Sequence, residues 1–322
     1  MNKNRLWAII LFAVIVYLLM AIYADFDELL KAIESFNWIY LVLLIILTTI
    51  GYFIRFFKWN YFLKQAQVKI GLKDNLFVFF SGLAMIITPA KLGEIWKGWL
   101  IKEINGEDLG KTVPVVIVDR FTDLISLLLL SLLGFLYYEE GMCILAVFLI
   151  IFFAFIIMIK SKRLSNYLLT FLERRAGKYS RDIKTMHYTF QETMSFKNLL
   201  SMSLLGVLAW FFECLGLYMV VQGFGDHISL MLSIFIFSFA SLAGAVSMIP
   251  GGLGVAEATL SGLLKLFGLS STIAIGTALI IRFGTLWYGA LLGVVVYLIF
   301  KNRIKTEKLD EKTEQIRPQR KK

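Results

Sequence analysis

Apolar residues in this chain gather into long blocks instead of alternating with polar ones. Residues 6–24, 38–54 and 199–221 hold at most one acidic or basic residue each, and about 17 to 25 apolar residues suffice for a helix to cross the hydrocarbon core of a bilayer. Residues 113–138, 142–159 and 272–300 extend the series. Three further blocks are cut by proline and glycine. Residues 75–88 end at Pro89, and 230–249 is parted from 253–267 by Pro250, Gly251 and Gly252. The pattern predicts an all-α, polytopic membrane helix bundle.

Basic residues are retained on the cytoplasmic face of a membrane, so their distribution assigns sides to the loops. Lys3 and Arg5 place the N-terminus inside, whereas 25–37 carry only Lys31 among Asp25, Asp27, Glu28 and Glu34. Arg55, Lys58, Lys64, Lys69 and Lys73 bring the chain back inside. Residues 75–88, about 14 in number, are too short to span, and Lys91, Lys97, Lys102 and Lys111 follow them on the same side. A segment that starts and ends inside is a re-entrant hairpin, here breaking near 89–93. Bilayers accept such irregular backbone only where it is buried in protein or lines a wet cavity. Glu139 and Glu140 form an external turn, 160–198 returns inside with nine Lys and Arg, and 223–227 has neither. The tail from Lys301 onward carries nine basic residues, so the C-terminus is also cytoplasmic. The pair 230–249 and 253–267 therefore begins and ends outside, as a second broken pair entered from the opposite face.

No small-x-small cleavage site precedes Asp25, so the first block reads as a retained span. Within 160–198, Leu164, Tyr167, Leu168, Phe171 and Leu172 follow amphipathic helical spacing and predict an interfacial helical hairpin. The organisation expected is a membrane domain over 1–301 and a basic tail over 302–322.

The two interruptions echo each other. Pro89-Ala-Lys-Leu-Gly-Glu94 and Pro250-Gly-Gly-Leu-Gly-Val-Ala-Glu257 both place Leu-Gly three residues after Pro, with Glu shortly beyond. Ser81 and Ser241 precede them, and Arg120 and Arg282 follow the two Glu residues at 26 and 25 positions. Entered from opposite faces, these units have the form of an inverted repeat, whose broken helices are the sequence pointer to a transporter's binding site. The competing reading is proline and glycine kinking two ordinary core helices.

Composition narrows the function classes. Only 17% of the 322 residues are charged and 58% are apolar, against about 25% charged in soluble domains. The net charge of +10 lies in loops on one side, so nucleic acid is not an expected partner. Cys143 and Cys214 lie in apolar segments and support neither a disulfide framework nor a thiolate metal site. The metalloprotease, P-loop and serine-hydrolase motifs are absent from the sequence. No catalytic group, metal or cofactor is expected.

Ionisable groups in hydrocarbon cost roughly 2.5–3.5 kcal/mol each on insertion scales, so each requires a partner or a wet cavity. Asp119, Arg120 and Asp123 share one span, with Arg120 and Asp123 spaced to pair. Glu94 and Glu257 cap the breaks, and Arg282 lies in the last span. The functional reading joins Arg120, Arg282 and free backbone N–H groups around an anionic head group, with Glu94 and Glu257 balancing charge or meeting a cationic moiety. Pro89, Gly93, Pro250, Gly251, Gly252 and Gly254 supply the broken backbone. The alternative is that Asp119, Arg120, Asp123 and Arg282 form a buried ionic lock between helices. Glu213 and Lys265 read as pairing or snorkelling residues, Arg55, Lys58 and Trp59 as interfacial anchors, and His187 and His227 as solvated loop residues.

Arg55-x-x-Lys-Trp59, Pro89-Ala-Lys-Leu-Gly-Glu-Ile-Trp-Lys97, Val118-Asp-Arg-x-x-Asp-Leu124 and Ile249-Pro-Gly-Gly-Leu-Gly-Val-x-Glu257 together resemble the lysylphosphatidylglycerol synthase transmembrane (flippase-like) family over nearly the whole chain. The family includes the membrane half of the bacterial multiple peptide resistance factor and relatives in polyprenyl-phosphate or dolichol-phosphate sugar pathways. The resemblance implies a lipid flippase or head-group transporter in the cell membrane, for an anionic or aminoacylated phospholipid such as lysyl-phosphatidylglycerol, or for a polyprenyl-phosphate lipid. It implies membrane lipids as partners, with a cytosolic synthase or glycosyltransferase and a second copy of the chain as further candidates. The alternative role is the membrane subunit of a phosphatidylglycerol lysyltransferase or polyprenyl-phosphate glycosyl-transfer system. With about 22 residues after the last span, the cytosolic synthase domain is not expected in this chain, nor is enzymatic activity. Lys97 and Ala256 stand where the resemblance leads one to expect arginines.

Overall fold

The computed structural model of the chain describes residues 15–18, 22, 26–88, 93–135, 150 and 180–301. The expected spans at 6–24 and 142–159, most of the 160–198 loop, Pro89 and the 302–322 tail lie largely or wholly outside these residues. Among the described residues every element is helical. In chain order these are α1 (Phe26–Ser35), α2 (Ile39–Gln65), α3 (Leu72–Gly82), α4 (Trp96–Asn105), α5 (Leu109–Phe135), α6 (Ser180–Thr193), α7 (Phe196–Gly223), α8 (Leu230–Val246), α9 (Val255–Leu266) and α10 (Ser271–Lys301).

Three of them, α2, α7 and α10, are long and apolar enough to cross a membrane. Helix α5 matches α2 in length, 27 residues, or about 40 Å at about 1.5 Å per residue, but carries charge at its centre. The bundle reverses the soluble arrangement of polarity. On α2 the exposed stripe is Ile39, Val42, Ile46, Ile50, Phe53 and Phe57, while Arg55 and Lys58 are buried. Lipid solvates the apolar stripe, and the charges turn inward to partners.

Small residues and hydroxyls bring the helices together. Gly51 of α2 meets the Ala209 carbonyl of α7 so closely that a methyl there would stand 3.1 Å from it. The Ser126 hydroxyl of α5 donates to the Ser203 carbonyl of α7 at 2.8 Å, and Ser131 of α5 donates to Ser238 of α8 at 3.0 Å. Serine N-caps start three helices: Ser195, Ser229 and Ser270 accept from the amides of Asn198, Leu232 and Ile273.

Both interrupted segments are helical hairpins. Helices α3 and α4, of 11 and 10 residues, pack together and are each too short to span. The break starts earlier than the sequence suggests, in a 3-10 turn at Leu83–Met85. Thr88 then ties the tip: its hydroxyl donates to the Met85 carbonyl at 2.7 Å and accepts from the Gly93 amide at 2.8 Å. Gly93 is needed for proximity, since a methyl there would lie 2.6 Å from the Thr88 side chain. Helices α8 and α9 form the second hairpin. Its tip, Pro250–Gly252 and Gly254, holds three glycines at φ 62°, 66° and 85°, a region that side chains oppose. Gly252 also lies against the Gly244 backbone, 3.0 Å from where its Cβ would be. Ile86, Leu253, Leu286 and Ala290 bury one another where the two tips and α10 converge, with Ile87, Ile249 and Trp287 packed on them.

Helix α10 accommodates the first tip at Gly293, where a Cβ would stand 2.2 Å from the Ala84 amide nitrogen. Backbone cannot yield as a flexible side chain can, so Gly293→Ala is expected to cost about 1–3 kcal/mol through overpacking. Gly262, within α9, faces open space, and Gly262→Ala is expected to stabilise by about 0.5–1 kcal/mol through helix propensity. Thermal unfolding of the detergent-purified variants checks the opposite signs.

Candidate functional site: a charged cavity at the hairpin tips

Among the described residues the buried charges fall into three groups, each joining elements that are distant in sequence. The largest centres on α5. The Arg120 guanidinium lies 2.6 Å from Asp119, 2.9 Å from Asp123 and 3.3 Å from Glu94, in the turn just before α4. Lys58 of α2 approaches from the other side, 3.2 Å from the Asp119 carboxylate, and pairs closely with Asp123. Its ammonium also donates to the Asp119 carbonyl at 3.1 Å and to the Thr122 hydroxyl at 3.2 Å. Lys97 completes the group, 2.8 Å from Glu94 and 4.3 Å from the face of Trp59.

The second group belongs to the other hairpin. Glu257, fully buried, accepts from the Gly254 amide at 2.8 Å and from Arg282 Nε at 2.8 Å, while Arg282 also donates to the Gly251 carbonyl. A carboxylate at the third helical position thus caps its own N-terminus, and the arginine of α10 grips both the carboxylate and the left-handed tip. Tyr17 donates to Glu257 at 3.4 Å and accepts from the Trp287 indole at 2.7 Å. Just past Arg282, α10 widens into one π turn, Phe283–Trp287, and the Thr285 carbonyl accepts from the Tyr52 hydroxyl at 2.8 Å.

The third group is a single pair between the long helices: Arg55 of α2 lies 2.6 Å from Glu213 of α7, both side chains nearly inaccessible. The guanidinium stacks on Trp210 at 4.1 Å.

The three groups border one cavity of about 260 Å³. Arg55, Arg120, Asp123, Glu213 and Arg282 form its charged wall, Leu124, Leu127, Phe237 and Leu286 part of its apolar wall, and Ile86, Thr88, Met248, Ile249, Gly251 and Gly252 contribute both hairpin tips. Glu94, Asp119 and Glu257 stand behind the wall as partners of the arginines. Arg120 and Arg282 keep 21% and 13% of their side-chain surface accessible, the carboxylates that hold them 5% or less. Across the three groups Arg55, Lys58, Lys97, Arg120 and Arg282 balance Glu94, Asp119, Asp123, Glu213 and Glu257 in formal charge.

These positions correct parts of the sequence reading. Arg55, Lys58 and Trp59 are not interfacial anchors: all three are buried, and Trp59 donates to Asn75 at 2.8 Å. A one-turn error in where a span ends converts a core residue into an apparent anchor. The expected four-residue lock is two separate clusters, because Arg282 pairs with Glu257 and not with the carboxylates of α5. Glu213 does pair, as expected of it, and its partner was the missed cavity residue Arg55. An acid alone in one apolar span, with a base near the end of another, was the available signal.

Fold and site define a polytopic α-helical membrane protein in which two interrupted helix pairs meet at a charged cavity. The chain belongs to the family described as Lysylphosphatidylglycerol synthase TM region, which it matches over residues 5–293. It is similar to UPF0104 membrane proteins of Methanothermobacter thermautotrophicus (23% identical, covering 88% of this chain and 90% of the relative) and Pyrococcus horikoshii (25%, covering 92% and 97%). One from Methanocaldococcus jannaschii is 25% identical over 70% of this chain and 97% of its own length. No solved structure matches the chain.

Removing Arg282 leaves a fully buried carboxylate without its cation, so Arg282→Ala is expected to cost about 3–5 kcal/mol. Adding Glu257→Gln removes the stranded charge and is expected to recover most of that loss. Denaturant unfolding of the two single variants and the double variant measures the coupling; simple additivity would refute it.

Proposed function

We propose that the protein is a lipid flippase or lipid-head-group transporter, holding a phosphate-bearing head group in the cavity while acyl chains remain in the bilayer. The carrying observation is one cavity whose charged wall presents three guanidinium groups and whose other wall is apolar and reaches Met248, 68% exposed at the bundle surface. Such an amphipathic lining suits a ligand with a polar head and hydrocarbon tails better than a free ion. Glu94, Asp119, Arg120, Asp123, Glu257 and Arg282 are the head-group site on this reading, the arginines as ligands and the carboxylates as their orienting partners. An anionic or aminoacylated phospholipid, or a polyprenyl-phosphate lipid, fits that chemistry, and the cell membrane with both termini cytoplasmic is the corresponding placement.

The two-unit arrangement supports a rocking mechanism. A long helix, a connection, a short hairpin and a second long helix recur in order as α2 to α5 and α7 to α10, with connections 66–71 and 224–229 of equal length. In each unit the Glu after the break pairs with the Arg of the following long helix, Glu94 with Arg120 and Glu257 with Arg282. The repeated pair is the spatial counterpart of the sequence echo and favours an inverted repeat moving about the shared cavity.

The family description carries the word synthase, which favours a second reading: the chain is the membrane partner of a lysyl or glycosyl transfer enzyme. Copurification of such an enzyme, with turnover dependent on both, would support it. Catalysis by this chain alone is disfavoured because Lys58 already bridges the two carboxylates, Asp119 and Asp123, that a metal-bound phosphate would require.

In reconstituted vesicles containing labelled anionic or aminoacylated lipid, wild type is expected to accelerate leaflet exchange, and Arg120→Ala and Glu257→Ala to slow it at least tenfold. Variant rates equal to wild type would overturn the proposal.

A further inference from the structure

Arg55 and Glu213 stand apart from the two clusters that repeat between the units. They are the pair that joins α2 to α7, the first long helix of each unit, and both border the cavity. Arg55 is held by less than its neighbours. A guanidinium has five N–H donors, yet Arg55 Nε is buried without a hydrogen-bond acceptor, and among the described residues its one ion pair is with Glu213. Arg120 Nε, in the same cavity wall, is likewise buried without an acceptor. Glu257, by contrast, is fixed by the Gly254 amide, Arg282 and Tyr17 together. Of the two glutamates paired with cavity arginines across helices α7 and α9, Glu213 is the one whose departure strands no backbone N–H.

We propose that Arg55 is a ligand for the phosphate of the lipid head group, and that Glu213, its present partner, is a stand-in for that phosphate. Loading the cavity exchanges a carboxylate, held through a single close contact, for a phosphate on the same guanidinium, which arginine can engage bidentately. The exchange also releases the ion pair between α2 and α7, while the packing of Gly51 on Ala209 keeps the two helices together, so head-group binding loosens one polar tie between the two units. Stacking on Trp210 keeps the guanidinium in place while its partner changes. The proposal rests on the lipid reading for the identity of the ligand; the anion subsite at Arg55 does not depend on it.

The test separates the two. Detergent-purified protein is titrated with sn-glycerol 3-phosphate and with inorganic phosphate by calorimetry, and the same variants are assayed for exchange of labelled phosphatidylglycerol in phosphatidylcholine vesicles. Glu213→Gln is expected to tighten glycerol-phosphate binding at least fivefold. Arg55→Gln/Glu213→Gln, which removes the buried pair together and leaves no stranded charge, is expected to weaken it at least tenfold while unfolding close to wild type. Preference for glycerol phosphate over inorganic phosphate, with matching losses of lipid exchange in the double variant, supports a lipid head group as the source. Equal binding of the two probes with no lipid exchange by wild type keeps the subsite and sinks the lipid reading. Lipid exchange by wild type with probe affinities unchanged in both variants overturns the subsite and leaves the lipid reading standing.

Discussion

A charge placed in hydrocarbon must meet a countercharge, and that requirement orders the interior of this protein. Among the described residues five buried cations and five carboxylates meet in three groups, and none of these groups lies within one helix. Arg120 gathers α4 and α5, Lys58 fastens α2 to α5, Arg282 fastens α10 to α9 and its tip, and Arg55 fastens α2 to α7. Lipid tails are as apolar as leucine, so the hydrophobic effect does little to bring spanning helices together. The ion pairs and serine hydroxyls specify which helices are neighbours, and the glycines allow them to approach.

Breaking a helix in a membrane exposes backbone groups that water cannot reach, and each hairpin tip answers this locally. At the first, Thr88 serves as both acceptor and donor. At the second, the Gly254 amide is taken by Glu257 and the Gly251 carbonyl by Arg282. The same side chains that neutralise charge also satisfy the broken main chain, so the polar groups of the second tip cannot be changed one at a time without stranding another. This coupling ties the cavity wall to the fold. It also explains the π turn of α10: widening the helix after Arg282 leaves the Thr285 carbonyl available to Tyr52 of α2 beside the cavity.

Much of this was legible in the sequence because the bilayer leaves a chain few options. Uninterrupted apolar runs had to be helices, and a run too short to cross had to turn back. The 25- and 26-residue spacing from Glu to Arg proved to be a real contact in both units, Glu94–Arg120 and Glu257–Arg282. Less legible was the depth of residues near span ends. Arg55, Lys58 and Trp59 sit where interfacial anchors sit in many spans, and only the packing of α5 and α7 against that end of α2 shows them to be interior. The pairing of Lys97 with Glu94 was equally hidden, because the positive-inside count scores every lysine of a loop alike whether it faces solvent or a buried carboxylate. Periodicity reports which face of a helix is apolar but not which partner covers the polar one.

Charge balance constrains how such a cavity could work. The described buried groups are neutral as a set, so the site does not hold a standing excess of positive charge that would attract any small anion. On the proposed reading a phosphate-bearing head group is admitted by partner exchange, in which an arginine keeps an anionic neighbour throughout and the protein never exposes a bare buried cation. The carboxylate that gives way then has to find water or the cationic part of the head group. Arg120 and Arg282 mark the more accessible side of the cavity, where water, or an aminoacyl or amine group in its place, would serve. Acyl chains cannot take that role, and the apolar wall leading to Met248 gives them a separate path. A site with these properties distinguishes its ligand by having both parts at once: the charge of the polar wall alone is already neutralised by the protein's own carboxylates, and the apolar wall alone offers nothing that the surrounding bilayer lacks.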